Sequence, residues 1–117
     1  MCNLLLVKYK KLLYNKNDCE QKEQKGKYMK GLYDIHTHII PHVDDGADTI
    51  EITKKILQME YNDGVRTIFA TSHFRRRMFE TPMEKIRQQY LQVQQAAKEI
   101  APDLRLILGC EFHANLD

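Results

Sequence analysis

Cysteine is scarce in this chain and badly placed for pairing. Cys2, Cys19 and Cys110 are the three in 117 residues, odd in number, scattered, and without a Cys-x-x-Cys pair. That argues against a disulfide framework and fits reduced thiols in the cytosol. Glycine and proline, at five and three residues, form no linker, and there is no internal repeat. Neither sign of charge dominates: 18 basic and 16 acidic side chains leave a net charge of +2. Such a balance speaks against bulk electrostatic binding of nucleic acid or of an anionic membrane. No apolar run approaches the roughly 20 residues of a membrane span. The run Leu4 to Val7 is too short for the roughly 7–15 residues of a signal-peptide core. The expectation is a cytoplasmic protein of one domain at most.

Two regions differ in character. Residues 1–30, with "KYKKLLYNKNDCEQKEQKGKYMK", are rich in Lys, Gln, Glu and Asn and show no sustained apolar period. Such a segment buries too little surface to offset its ordering entropy, so it reads as a disordered or non-native extension, with Met29 an alternative start. From Leu32 the pattern alternates. "LYDIHTHI" reads as a strand over about 32–36. "DTIEITKKILQMEYNDG" reads as a helix over about 48–62, with apolar Ile52, Ile56, Leu57 and Met59 and a stop at Asp63-Gly64. "VRTIFATSH" is a β-branched strand over about 65–71. "TPMEKIRQQYLQVQQAAKEIAP" is a helix over about 82–100, with Thr81 as N-cap, Pro82 at the first turn and Glu84 in capping-box position. Its apolar stripe is Ile86, Tyr90, Val93, Ala97 and Ile100. "LRLILGCEF" is a third strand over about 104–110. This order predicts an α/β fold of right-handed parallel βαβ units, with helices covering both faces of the sheet.

The stretch "DIHTHIIPHVDDGA", Asp34 to Ala47, holds three histidines and three aspartates. His36 and His38, two apart at a strand end, point the same way and can close on one ion. Asp34 shares their parity and is expected to orient a ring nitrogen from behind. The Asp44-Asp45-Gly46 turn brings a carboxylate back over the pair, Asp45 the preferred ligand and Asp44 the alternative. His42 reads as an exposed loop histidine. His73 ends the second strand and Glu111 the third. In a parallel α/β fold all strand C-termini lie on one side, so His36, His38, Asp45, His73 and Glu111 meet at one rim. His113, two past Glu111, is a weaker candidate. The run Arg75, Arg76 and Arg77 beside that rim could draw in an anionic substrate such as a phosphate. Imidazole and carboxylate without thiolate suit Mn²⁺, Fe²⁺ or Zn²⁺, and several carboxylates point to a polynuclear site. Such a site activates water as hydroxide and clamps phosphate oxygens. A cysteine-dependent phosphatase would need Cys-x5-Arg, which neither Cys19 nor Cys110 supplies.

Taken together, "DIHTHIIPHVDDGA", "GVRTIFATSH", "MFETPMEKI" and "GCEF" resemble the PHP (polymerase and histidinol phosphatase) superfamily. Within it they are most similar to the CpsB/CapC family of manganese-dependent protein-tyrosine phosphatases of capsule and exopolysaccharide biosynthesis. The resemblance implies a distorted (β/α) barrel around a trinuclear Mn²⁺ centre, with His36, His38, Asp45, His73 and Glu111 among the ligands. It implies a phosphotyrosine protein as substrate, the capsule-biosynthesis tyrosine kinase above all. The family's remaining ligands and its phosphate-binding arginines come later than residue 117. A barrel of this type takes roughly 250 residues, so residues 31–117 are expected to form the N-terminal part of such a domain, a partial PHP-type barrel. Alone, that part is expected to self-associate and to be poorly active. Another PHP phosphoesterase, or an inactive remnant, are the alternative readings.

Overall fold

The structure, a computed structural model, describes residues 31–114. The expectation placed on residues 1–30 lies outside the described residues. The described elements are β1 (Leu32–Thr37), α1 (Ile50–Asn62), β2 (Val65–Phe74), α2 (Met83–Ile100) and β3 (Arg105–Phe112). The strands lie in the order β1-β2-β3, and both pairings are parallel. The expected order of elements and the parallel neighbours are therefore present.

The helices do not cover both faces, as the strand-helix alternation had suggested. Leu57 of α1 and Val93, Ala96 and Ala97 of α2 share one core with Ile68 and Ala70 of β2. Right-handed crossovers pass to opposite faces only where the strand order reverses, and here it runs with the chain without reversal. The opposite face carries Tyr33, Ile35 and Ile107, which are 61%, 73% and 40% exposed.

Helix α1 begins where Thr49, in extended conformation, accepts a hydrogen bond from the Ile52 amide. It ends at Asp63, with Gly64 next at φ 99°, the left-handed position that suits glycine. Its buried stripe is Thr53, Leu57 and Glu60, spaced four and three apart. The expected Leu57 is buried and Ile56 packs against the core, but Ile52 and Met59 are exposed, and two of the three buried positions are polar. Thr53 is tolerated inside because its hydroxyl donates to the Ile39 carbonyl at 2.7 Å. Helix α2 keeps its expected stripe, with Val93 and Ala97 buried and Ile86, Tyr90 and Ile100 packed against the core. Its start differs from the expected one. Pro82 occupies the N-cap without a side-chain hydrogen bond. The Thr81 hydroxyl instead donates to the Val43 carbonyl at 2.6 Å, tying the helix approach to the loop after β1.

Strand β1 is irregular near its end. Asp34 pairs with Ile68, but Thr37 pairs with Ala70, so Ile35 and His36 together oppose Phe69 alone. This bulge changes the strand's parity. Asp34 therefore does not share the histidines' face. Its carboxylate accepts from the His36 amide at 3.1 Å and does not orient a ring nitrogen, which corrects the expectation drawn from simple alternation.

Candidate metal centre

The C-terminal ends of the three strands converge. β1 supplies His36 and, just past its end, His38; β2 supplies His73; β3 supplies Glu111. His73 and Glu111 are direct partners in the β2–β3 register, so the pleat puts both side chains on one face. Glu111 Oε2 lies 2.8 Å from His38 Nε2, 3.3 Å from His36 Nε2 and 3.3 Å from His73 Nδ1. Yet that buried oxygen makes no hydrogen bond of acceptable geometry. On the other side of His73, Nε2 lies 3.2 Å from Asp45 Oδ1. Two groups of side chains are thus close enough to hold a cation: His36, His38 and Glu111, and His38, Asp45 and His73.

Hydrogen bonds behind the rings orient them. The Asp44 carboxylate faces His38 Nδ1 at 2.9 Å, so Nδ1 carries the proton and donates. Thr71 Oγ1 lies 3.0 Å from His36 Nδ1, accepts from the Thr37 amide at 3.1 Å, and reaches the Thr37 carbonyl at 3.4 Å. One assignment that suits these partners has His36 Nδ1 donating to Thr71, whose own proton goes to the Thr37 carbonyl. In both neutral rings the Nε2 lone pair then faces Glu111, itself an acceptor. With neutral rings, these lone pairs at 2.8–3.3 Å repel unless positive charge lies among them: a proton on His38 in cation-free protein, where its pKa is raised, or a divalent cation. The donor set therefore fits a divalent cation. Because the single His38 Nε2 lone pair belongs to both groups, it can serve one cation at a time.

Asp44 organises this side of the site. Its side chain is fully buried, and both oxygens accept: Oδ2 from His38 Nδ1 and the His73 amide, Oδ1 from the Gly46 amide at 2.8 Å. Gly46 makes the turn possible. A Cβ there would sit 2.3 Å from the His38 carbonyl oxygen and 2.6 Å from the His38 Cβ. Alternation had put Asp34 behind the histidines; Asp44 and Thr71 hold that place. The Asp-x-Gly turn, with a side chain accepting from the amide two residues on, was the available signal for Asp44. Nothing in the sequence marked Thr71.

Charge and burial compete at this pair. Burial works against a charged His38, but the hydrogen bond and charge of Asp44, with Glu111, outweigh it and raise its pKa above the ordinary 6.5. Burial works against the Asp44 carboxylate too, but the His38 hydrogen bond and the His73 and Gly46 amides hold its pKa below 3.8. In cation-free protein, the Asp44 contribution to stability is present above pH 3.8 and lost as pH falls through its lowered value; that of His38 is present below pH 6.5 and lost as pH rises through its raised value. Urea denaturation in chelator is expected to show the pair's stabilisation between these limits, with a loss on the alkaline side that Mn²⁺ offsets. A stability in chelator that keeps rising above pH 7 would contradict this.

The remaining candidates lie further out. Arg75, Arg76 and Arg77 are exposed on a short hairpin closed by Arg75 and Phe79, with Arg77 at φ 64°. His113 is exposed, outside both groups, its amide donating to the Phe74 carbonyl. His42 is exposed, as expected, at φ 60°. It lines a cavity of about 570 Å³ beside Asp45, walled also by Asp48, Met78, Phe79 and Lys85.

Comparison with known proteins places the chain in a family. The chain is 50% identical to the tyrosine-protein phosphatase CpsB of Streptococcus pneumoniae over 86 residues, covering 74% of this chain and 35% of that protein. It is 37% identical to the CpsB of Streptococcus agalactiae serotype V, with the same coverage. It thus spans about 35% of the length of these relatives. Among solved structures it matches one described as "Crystal structures of YwqE from Bacillus subtilis and CpsB from Streptococcus pneumoniae, unique metal-dependent tyrosine phosphatases". That match has a TM-score of 0.62 and 26% identity, covering 72% of this chain and 34% of the other. The family described as "Capsular polysaccharide synthesis, CpsB/CapC" matches residues 32–117, most of the chain, with every candidate ligand inside the matched span, and the chain belongs to that family.

Proposed function

We propose that residues 31–117 carry part of the metal centre of a PHP-type protein-tyrosine phosphatase that uses Mn²⁺ and removes phosphate from a tyrosine of the capsule-biosynthesis kinase. The observation that carries this reading is Glu111 Oε2: buried, without a hydrogen bond, and ringed by three imidazole nitrogens. His36, His38 and Glu111 hold one cation; His73 and Asp45 hold part of a second. Bound divalent cations supply a Lewis acid for phosphate oxygens and lower the pKa of water. Around them the chain's own groups bind and orient. Asp44 and Thr71 keep the histidine lone pairs turned inward. Arg75, Arg76 and Arg77 attract the dianionic phosphate to the rim. A phenol leaving group, with a pKa of about 10, needs less protonation than an alkoxide, which favours aryl esters.

The open face bearing Tyr33, Ile35 and Ile107 is, in this reading, the inner face of a (β/α) barrel. Exposed on the 117-residue chain alone, it promotes self-association. No helix among the described residues is long and apolar enough to cross a membrane. The odd, scattered cysteines support a cytoplasmic placement.

The test is turnover with added Mn²⁺, on a chain of the relatives' full length that carries these residues. Phosphotyrosine peptides are expected to be cleaved well, alkyl phosphates poorly, and chelator should abolish both. Faster cleavage of small alkyl phosphates would favour a different PHP phosphoesterase. No turnover in the long chain would favour a remnant.

A further inference from the structure

The Met78–Pro82 stretch, "MFETP", supplies no metal ligand, but it touches the site at a telling place. The His73 imidazole has two ring neighbours. One is His38, at a centroid distance of 4.3 Å and tilted by 56°. The other is Phe79, at 4.9 Å and within 12° of parallel. Both His73 nitrogens lie in the ring plane, one 3.2 Å from Asp45 and the other 3.3 Å from Glu111. Any turn of that plane moves both nitrogens off their carboxylates. His38 is fixed by Asp44, so the ring that decides the plane of His73 is Phe79.

Phe79 is itself held on a rigid mount. Its amide donates to the Arg75 carbonyl at 2.8 Å, and the Arg75 amide donates back at 3.0 Å. Two residues on, Thr81 ties the same segment to Val43, in the loop that carries Asp45. The hairpin therefore fixes the His73 ring and the neighbouring loop together. His36 and His38 take their orientation from other groups, Thr71 and Asp44.

We propose that Phe79 is a positioning residue: by stacking on His73 it holds the imidazole between Asp45 and Glu111, and so sets the affinity of the second cation site without setting that of the first. This rests on the reading of these strand ends as a metal centre. Phe79 has no charge and no polar side-chain atom, so it acts through ring contact alone.

The experiment is a Mn²⁺ titration of the 117-residue chain by electron paramagnetic resonance. Phe79→Ala is expected to weaken the second site roughly 3- to 10-fold, the range that loss of one aromatic stack gives, and to leave the first unchanged. Phe79→Tyr, which keeps the ring, should restore wild-type binding. In an Asp45→Ala background, Phe79→Ala should add nothing, because both act on one site. Equal weakening of both sites, or full additivity with Asp45→Ala, would overturn the proposal. Absence of any Mn²⁺ uptake by the unsubstituted chain would instead overturn the metal reading. A metal-free readout separates the two: carbethoxylation of His73 by diethyl pyrocarbonate should quicken severalfold in Phe79→Ala, with the rate at His36 unchanged. An unchanged His73 rate would show that Phe79 does not hold the ring.

Discussion

Asp44→Asn is expected to collapse the metal centre, although it changes one atom. Both Asp44 oxygens face N–H groups: His38 Nδ1 and the His73 amide at one, the Gly46 amide at the other. Whichever way the asparagine amide turns, its NH2 meets a donor in a buried place. A buried group left unsatisfied costs about 1–3 kcal/mol, and here a donor-to-donor contact and a lost ionic hydrogen bond are added. The expected loss of stability is about 2–4 kcal/mol. Cation affinity should fall roughly 10- to 100-fold, because the His38 tautomer is no longer fixed. Asp45→Asn is the contrast. The Asp45 side chain is partly exposed, with Oδ1 3.2 Å from His73 Nε2, so water can solvate the substituted amide. That substitution should move stability by less than about 0.5 kcal/mol while weakening the second cation. Urea denaturation and Mn²⁺ binding on both variants check the pair. Equal stability of the two would refute the role assigned to Asp44.

Gly46→Ala is expected to be nearly as damaging, for a reason of space. The added carbon would lie 2.3 Å from the His38 carbonyl oxygen, 2.6 Å from the His38 Cβ and 2.8 Å from Asp44 Oδ1. Two of these neighbours are on the residue that carries the shared ligand, and the carbonyl cannot swing aside without breaking its hydrogen bond from the Ala47 amide. The loop must shift as a whole, at about 2–3 kcal/mol, and His38 must shift with it. Thermal denaturation should show the loss, and the Mn²⁺ titration should show weakened binding at both sites. A Gly46→Ala protein with wild-type melting and wild-type affinity would mean that the loop is looser than its contacts indicate.

Much of this site was legible because two signals coincide. The strand periods of "VRTIFATSH" and "LRLILGCEF" set the positions of His73 and Glu111, and parallel topology brings strand ends to one side. The parts that were not legible depend on departures from regular geometry. Alternation put Asp34 with the histidines, but the bulge at Ile35 and His36 reverses the parity between them. Helical spacing chose Ile52, Ile56, Leu57 and Met59; Ile56 and Leu57 do face the core, but α1 turns Thr53 and Glu60 inward and leaves Ile52 and Met59 exposed. Thr53 can be accommodated there through its bond to Ile39, which no local pattern encodes. Thr81 looked like a helix cap because local chemistry favours one, and a contact with Val43, 38 residues earlier, takes its hydroxyl instead. Thr71 is a β-branched residue in a strand, ordinary until the fold sets it against His36. In each case a long-range partner or a bulge overrides the local rule.

The most direct test of the metal centre is Mn²⁺ uptake by the unsubstituted chain and by Glu111→Gln, monitored by electron paramagnetic resonance at neutral pH. Glu111 Oε2 lies within 3.3 Å of ring nitrogens of His36, His38 and His73 alike. Removing its charge while keeping its shape should lower uptake at least 10-fold. Circular dichroism should show the fold retained. Measurable binding in the unsubstituted chain and at least 10-fold less in Glu111→Gln is the expected result. Equal uptake by the two, or none by either, would contradict the assignment of these strand ends as a metal centre.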